Sequence, residues 1–150
     1  MSNFDEKTIE RIKRLEREVE RLRVKESGKF IALTAPLTST SWDGDSFSTT
    51  AKTKIDLSAV FGVPAGVKAV LVSVIIRDSG SAASDCYLTL SPTSTGTNGI
   101  HFDCSGLTND AFERSNGIIP CDANGDIYYR IGASGSGTMD IYLQIWGYWL

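Results

Sequence analysis

Ile12, Leu15, Val19 and Leu22 recur at spacings of three, four and three, inside an opening stretch, residues 1–27, that contains neither glycine nor proline. The pattern puts Ile12 and Val19 at a, and Leu15 and Leu22 at d, of a heptad. The stripe is too narrow to hold a helix in water alone: the segment spans about 28 Å at 1.5 Å per residue, and isolated helices of that length are marginal. Such a helix has two outlets. It lies on its own domain through its apolar face, or it pairs with copies of itself. The flanking charges favour pairing. On this register Arg11, Glu18 and Lys25 fall at g, and Glu16 and Arg23 at e. In a parallel bundle Arg11 then meets Glu16, and Glu18 meets Arg23, of a neighbouring chain, and both pairs are opposite in sign. Gly28 follows the last charged turn, where glycine caps helices.

Ile or Val at a with Leu at d is compatible with two strands. RIKRLE (residues 11–16), however, resembles the short trimerisation motif of coiled coils, with Arg11, Ile12, Leu15 and Glu16 in the motif's positions. The resemblance implies that the arginine reaches the glutamate of the next helix while its stem covers the apolar seam, and it implies three chains. The expected oligomerisation residues are Arg11, Ile12, Leu15, Glu16, Glu18, Val19, Leu22 and Arg23.

Beyond residue 28 the chain changes character. Residues 1–28 hold 8 of the 15 Lys and Arg and 7 of the 18 Asp and Glu, and Glu113 is the only glutamate after them. Serine, threonine and glycine dominate, with short β-type runs at 29–34, 53–57, 67–78, 85–90, 99–104, 117–121, 126–133 and 138–150 separated by turn signals such as DSGSAAS, SPTSTGTNG, DANGD and ASGSG. Seven or eight strands without intervening helices predict a mainly β fold: an antiparallel β-sandwich, jelly-roll-like, over residues 29–150, behind a coiled-coil helix over residues 1–28. At 150 residues this is one domain with an appendage.

Two runs are apolar on both faces. In 67–78 one face is Val70, Val72, Val74 and Ile76, and the other is Ala69, Leu71, Ser73 and Ile75. In 141–150 strict alternation sets Ile141, Leu143, Ile145, Gly147 and Trp149 against Tyr142, Gln144, Trp146, Tyr148 and Leu150. An antiparallel sheet commonly leaves one face to water. A second apolar face is covered by a neighbouring subunit, by the domain itself, or serves as a ligand platform with Trp146 and Tyr148 stacking on sugars. The expected subunit interface is Leu71, Ile75, Trp146 and Tyr148. Trp42, Phe47 and Phe112, in loops, are the candidate ligand contacts, against the alternative that they anchor their own loops.

No catalytic constellation stands out. His101 is the only histidine and alternates with Phe102 on a strand. Asp43 and Asp45 in WDGD read as a turn more readily than as a glycosidase pair. GASGSG (132–137) is not a nucleophile elbow and reads as a hairpin loop. DANGD (122–126) carries the opening of a calcium loop without its later glutamate, and an Asn-Gly hairpin turn is the simpler reading. Cys86, Cys104 and Cys121 are widely spaced and odd in number, which favours buried free thiols. The expectation is no enzyme, no metal and no cofactor. The net charge of −3 does not suggest nucleic acid, and no run suggests membrane insertion. The opening MSNFDEKT has no apolar signal region, so synthesis in a cytosol is expected.

Three further stretches carry a resemblance: Ile55-Asp56-Leu57-Ser58-Ala59, Val63-Pro64-Ala65-Gly66-Val67-Lys68-Ala69-Val70 and Arg77-Asp78-Ser79-Gly80-Ser81, with the finish Trp146-Gly147-Tyr148-Trp149-Leu150. They resemble domains at the C-termini of bacteriophage tail fibres and related virion appendages, over most of residues 50–150. The resemblance implies a trimeric β-sandwich knob on a virion, with the coiled coil as stalk or clamp, other virion proteins as partners, and host surface glycans or proteins as ligands of some such knobs. No long fibre shaft is present, so a head fibre or decoration protein fits equally.

Overall fold

The computed structural model describes residues 6–26, 28–39, 41–42, 44 and 51–150. Helix α1 runs Glu6–Glu26, about 32 Å at 1.5 Å per residue. Gly28 leaves it at φ 84°, a left-handed conformation that costs glycine nothing, and its N–H donates to the carbonyl of Leu150 at 2.6 Å. Gly28 therefore joins the helix exit to the last strand of the body.

The body is eight strands: β1 (Phe30–Leu37), β2 (Thr53–Ile55), β3 (Ala69–Asp78), β4 (Tyr87–Ser91), β5 (Ile100–Asp103), β6 (Glu113–Pro120), β7 (Ile127–Gly132) and β8 (Met139–Trp149). They form two four-stranded sheets, sheet A in the order β1-β8-β3-β6 and sheet B in the order β2-β7-β4-β5, with every pairing antiparallel. Among the described strands only β4 and β5 are neighbours in both sequence and sheet. Every other connection crosses between sheets. DANGD and GASGSG are two of these crossings, so neither is the hairpin turn their composition predicts.

Alternation along the strands builds the core. Val70, Val72, Val74 and Ile76 of β3 and Met139, Ile141, Leu143 and Ile145 of β8 are buried, as are Leu88 and Leu90 of β4, Phe102 of β5, and Ile127, Tyr129 and Ile131 of β7. Each such side chain contributes about 1.5–3 kcal/mol on burial, which makes this inner layer the principal stabiliser of the body.

Two elements depart from the sequence-based expectation. A short helix, α2 (Leu57–Phe61), interrupts the strands where 53–57 reads as a single β run. Asp56 caps it by accepting from the Ala59 N–H at 2.9 Å, Gly62 closes it at φ 75°, and Leu57 and Phe61 bury its inner side. Strand β6 begins at Glu113 rather than near Gly117: its polar first half pairs with β3 from Ile76↔Glu113 onward. Only a neighbouring strand makes ERSN a strand, because its residues have little β preference of their own.

Candidate functional site: an exposed apolar surface

The apolar stripe of α1 faces water in the single chain. Ile12, Leu15, Val19 and Leu22 are between 42% and 59% exposed. The outlet in which the helix packs on its own domain is thus unused by these four residues. Glu18 accepts from Arg21 Nη2 at 2.7 Å within the helix, an i,i+3 pair that sits beside the seam. Arg11 and Glu16 lie on exposed positions of the same helix, and Arg23 lies within its span.

The second exposed surface is the outer face of sheet A. Leu71 pairs with Ile118, Ser73 with Asn116 and Ile75 with Arg114 across β3 and β6. On the other side of β3, Ile75 pairs with Tyr142 and Ser73 with Gln144. Ile118 is 51%, Tyr142 66% and Trp146 38% exposed. Leu71, Val72, Asn116 and Trp146 line an open groove of about 380 Å³ on this sheet. At one end Phe30 stacks on Trp149, with ring centroids 4.4 Å apart, and its ring covers Gly147. At the other, Arg77 pairs with Asp140 and lies over the ring of Phe112, 4.9 Å from its centroid.

Of the four expected interface residues, Leu71, Ile75 and Trp146 share this surface. Tyr148 does not. The β3–β8 register slips between Leu71 and Val72, so that Ile145 stands opposite Val72 and Gly147 opposite Leu71. The bulge moves Tyr148 opposite buried Val70, where it packs against the core. Strict alternation assigned it to the wrong face, because a bulge shifts every side chain beyond it. Ile118, Tyr142 and Phe30 join the surface instead. Tyr142 was legible from its alternation with Leu143, whereas Ile118 and Phe30 needed the pairing of their strands.

Of the candidate ligand aromatics, Trp42 and Phe112 have different surroundings. Trp42 packs against the core and sets its ring edge-on to Tyr129 at 5.4 Å, so it anchors its own loop. Phe112 is exposed beside Arg77. Phe47 lies outside the described residues, as do Asp43 and Asp45. His101 is on the outer face of sheet B, with Nδ1 3.2 Å from Thr89 Oγ1 and its ring against Tyr87.

Two acidic residues hold crossings between the sheets: Asp78, to which the sequence assigned no role, and Asp122, the first residue of DANGD. Asp78 is fully buried at the end of β3 and accepts from Gly80 N at 2.7 Å, Ser134 N at 3.1 Å, Thr138 Oγ1 at 2.9 Å and Ser134 Oγ. Burial opposes its ionisation, but the bonds from Ser134, Gly80 and Thr138 together outweigh it and hold the carboxyl below its usual range. Asp122 accepts from Asn124 N and Asp126 N, each at 2.9 Å, and from Tyr128 Oη at 3.3 Å. Its carboxyl too is held low, the bonds outweighing desolvation. Asp126 accepts from Lys54 Nζ at 3.0 Å and Leu57 N at 3.2 Å. The carboxylates of DANGD are thus spent on its own turn, on Lys54 of β2 and on Leu57 of α2. Cys86 and Cys104 are buried neighbours across β4 and β5, and burial pushes their thiols up to about 11 and about 12 respectively. Among the described residues no group of three His, Cys, Asp or Glu is placed to hold a metal, and no helix is long and apolar enough to cross a membrane.

No known family model matches the chain, and no curated protein is significantly similar to it.

Proposed function

We propose that this chain is a non-enzymatic structural protein of a bacteriophage virion, a homotrimeric fibre or decoration knob. In this reading α1 forms a parallel three-stranded coiled coil with two other copies, and the outer face of sheet A packs against the neighbouring knobs. The observation that carries the proposal is the α1 stripe: four aliphatic side chains at heptad spacing, each about half exposed in the single chain. The arginine and glutamate of RIKRLE favour three copies over two. The outer face of sheet A supplies a second surface for the same partners, in which Leu71, Ile118 and Trp146 on one side and Ile75 and Tyr142 on the other flank a polar row of Ser73, Asn116 and Gln144. The strand order β1-β8-β3-β6 against β2-β7-β4-β5 supports the jelly-roll form of the sandwich, eight strands with most connections crossing between sheets. The assignment to a virion, with other virion proteins as partners, rests on the resemblance of residues 50–150 to fibre-end domains.

A second reading, a receptor- or glycan-binding tip, draws on Phe112, 54% exposed at the end of sheet A remote from Phe30. Sedimentation equilibrium of the full chain at micromolar concentration tests assembly. The expected mass is three times the 16.3 kDa of the chain, and a folded species of 16.3 kDa overturns the proposal. An antibody raised against residues 29–150 should label intact particles. A glycan array with the parent chain and Phe112→Ala separates the two readings, since only the tip reading expects hits that are lost in the variant.

A further inference from the structure

The outer face of sheet B brings together two cations, Lys52 and Arg130, that make no ion pair among the described residues. Lys52, just before β2, and Arg130 of β7 meet there beneath the loop 92–99 that joins β4 to β5. Lys52 Nζ donates to Asn98 O at 2.6 Å and Ser91 Oγ at 2.8 Å, and lies 3.4 Å from both Thr93 Oγ1 and Thr95 O. These acceptors are all neutral. They pin the loop over the sheet, and Ala51, Lys52, Ser94, Thr95, Gly96 and Arg130 enclose a pocket of about 270 Å³. Among the described residues two cations line it and no carboxylate does. Burial and then the charge of Arg130 hold the Lys52 ammonium below its usual pKa.

Among the described cations of the body Arg130 alone has a buried side-chain nitrogen without a hydrogen-bond partner. Lys54 pairs with Asp126 and Arg77 with Asp140. Arg130 has no ion pair among the described residues; its guanidinium lies over Tyr87, 5.5 Å from the ring centroid, and its Nε is buried without a hydrogen-bond partner. A buried donor without an acceptor carries an uncompensated desolvation cost, and an arginine fork matches a planar oxyanion. Like charges gathered without a counter-ion point the same way.

We propose that this pocket is an oxyanion site that takes the carboxylate or phosphate of an acidic saccharide unit. Arg130 receives the anion, Lys52 adds charge while holding the loop, and Ser94 and Thr95 offer hydroxyls to the sugar. Gly96, at φ 76° with nothing within 4 Å of a built Cβ, keeps that wall free of a side chain. The volume lies just under the range of about 300–1,000 Å³ for small-molecule pockets, which suits one sugar-sized group rather than an oligomer. Because sheet B takes no part in the proposed packing of knobs, the site stands or falls independently of the trimer.

The test is a chemical-shift titration of the full chain with glucuronate, inorganic phosphate and glucose at millimolar concentration. One or both anions should saturably shift the amides of residues 94–96 and the Arg130 Nε–H, weakening as sodium chloride is raised, while glucose leaves them in place. The two anion arms identify which oxyanion the pocket prefers. Arg130→Gln should weaken binding about tenfold or more, from loss of charge-assisted hydrogen bonds. Failure of both anions to move those signals overturns the site in the unaltered protein, whether or not the variant folds. A folded Arg130→Gln protein that binds as before overturns it equally.

Discussion

Replacing Leu15 and Leu22 together by aspartate is the sharpest probe of the assembly proposed for α1. The two side chains are 59% and 50% exposed in the single chain, so an assembly covers about half of each. Full burial of a leucine is worth about 1.5–3 kcal/mol, and covering half of it is therefore worth about 1 kcal/mol. Two leucines in each of three chains sum to about 6 kcal/mol, and at 1.4 kcal/mol per tenfold the trimerisation constant falls about 10⁴-fold before carboxylate repulsion is added. Sedimentation velocity over a dilution series should show the variant as monomer where the parent is trimer. Far-UV circular dichroism should lose helical signal, because an isolated helix of 21 residues is marginal in water. The thermal transition of the β body should persist, since neither leucine is part of its core. Val24→Asp, off the heptad seam, is the control and should leave the oligomer intact. An unchanged trimer in the double variant across the dilution series would refute the reasoning and hand assembly to sheet A alone.

Other expectations follow from the buried groups of the body. Asp78→Asn keeps one side-chain oxygen and replaces the other by an NH2 group, so two of the four bonded donors lose their acceptor, and it should cost about 3 kcal/mol, read as a lowered urea midpoint. Because the Asp78 carboxyl is held low in the folded state, its stabilisation is fully present above about pH 4, the unfolded carboxyl value, and is lost as pH falls through the lower folded value. The gap in melting temperature between parent and variant should therefore close in acid, and a gap constant down to pH 2 would contradict the assignment. Gly125→Ala should cost about 3 kcal/mol, because Gly125 sits at φ 88° and a Cβ there would come within 2.6 Å of Gly66 N and 2.8 Å of Val67 N; an unchanged melting temperature would refute this. Cys86 and Cys104, buried and with thiols raised to about 11 and about 12, should resist iodoacetamide at pH 8 in the native protein and alkylate readily in urea, as mass spectrometry would show.

The sequence alone determined the elements that depend on local periodicity. The helix declared itself because Ile12, Leu15, Val19 and Leu22 keep a helical spacing without glycine or proline, and β3, β7 and β8 did so because alternating β-branched and aromatic residues fit a pleated strand. The two apolar faces of β3 were likewise readable, since a strand's two faces are simply its odd and even positions. What tertiary structure decided was every relation between strands distant in the chain. The bulge at Trp146 is invisible to alternation, yet it turns Tyr148 from the assembly surface to the core. The polar half of β6 is a strand only because β3 offers it partners. Asp78, Lys52 and Arg130 look like ordinary surface charges in the sequence, and Asp122 reads as part of a turn; burial, and the donors or cations folded beside them, make Asp78 a clasp and Asp122 a turn lock, and gather Lys52 and Arg130 at the proposed oxyanion site. Local sequence encodes which backbone geometry a segment prefers, whereas the worth of a charge depends on the dielectric and the partners that the packed sheets bring to it.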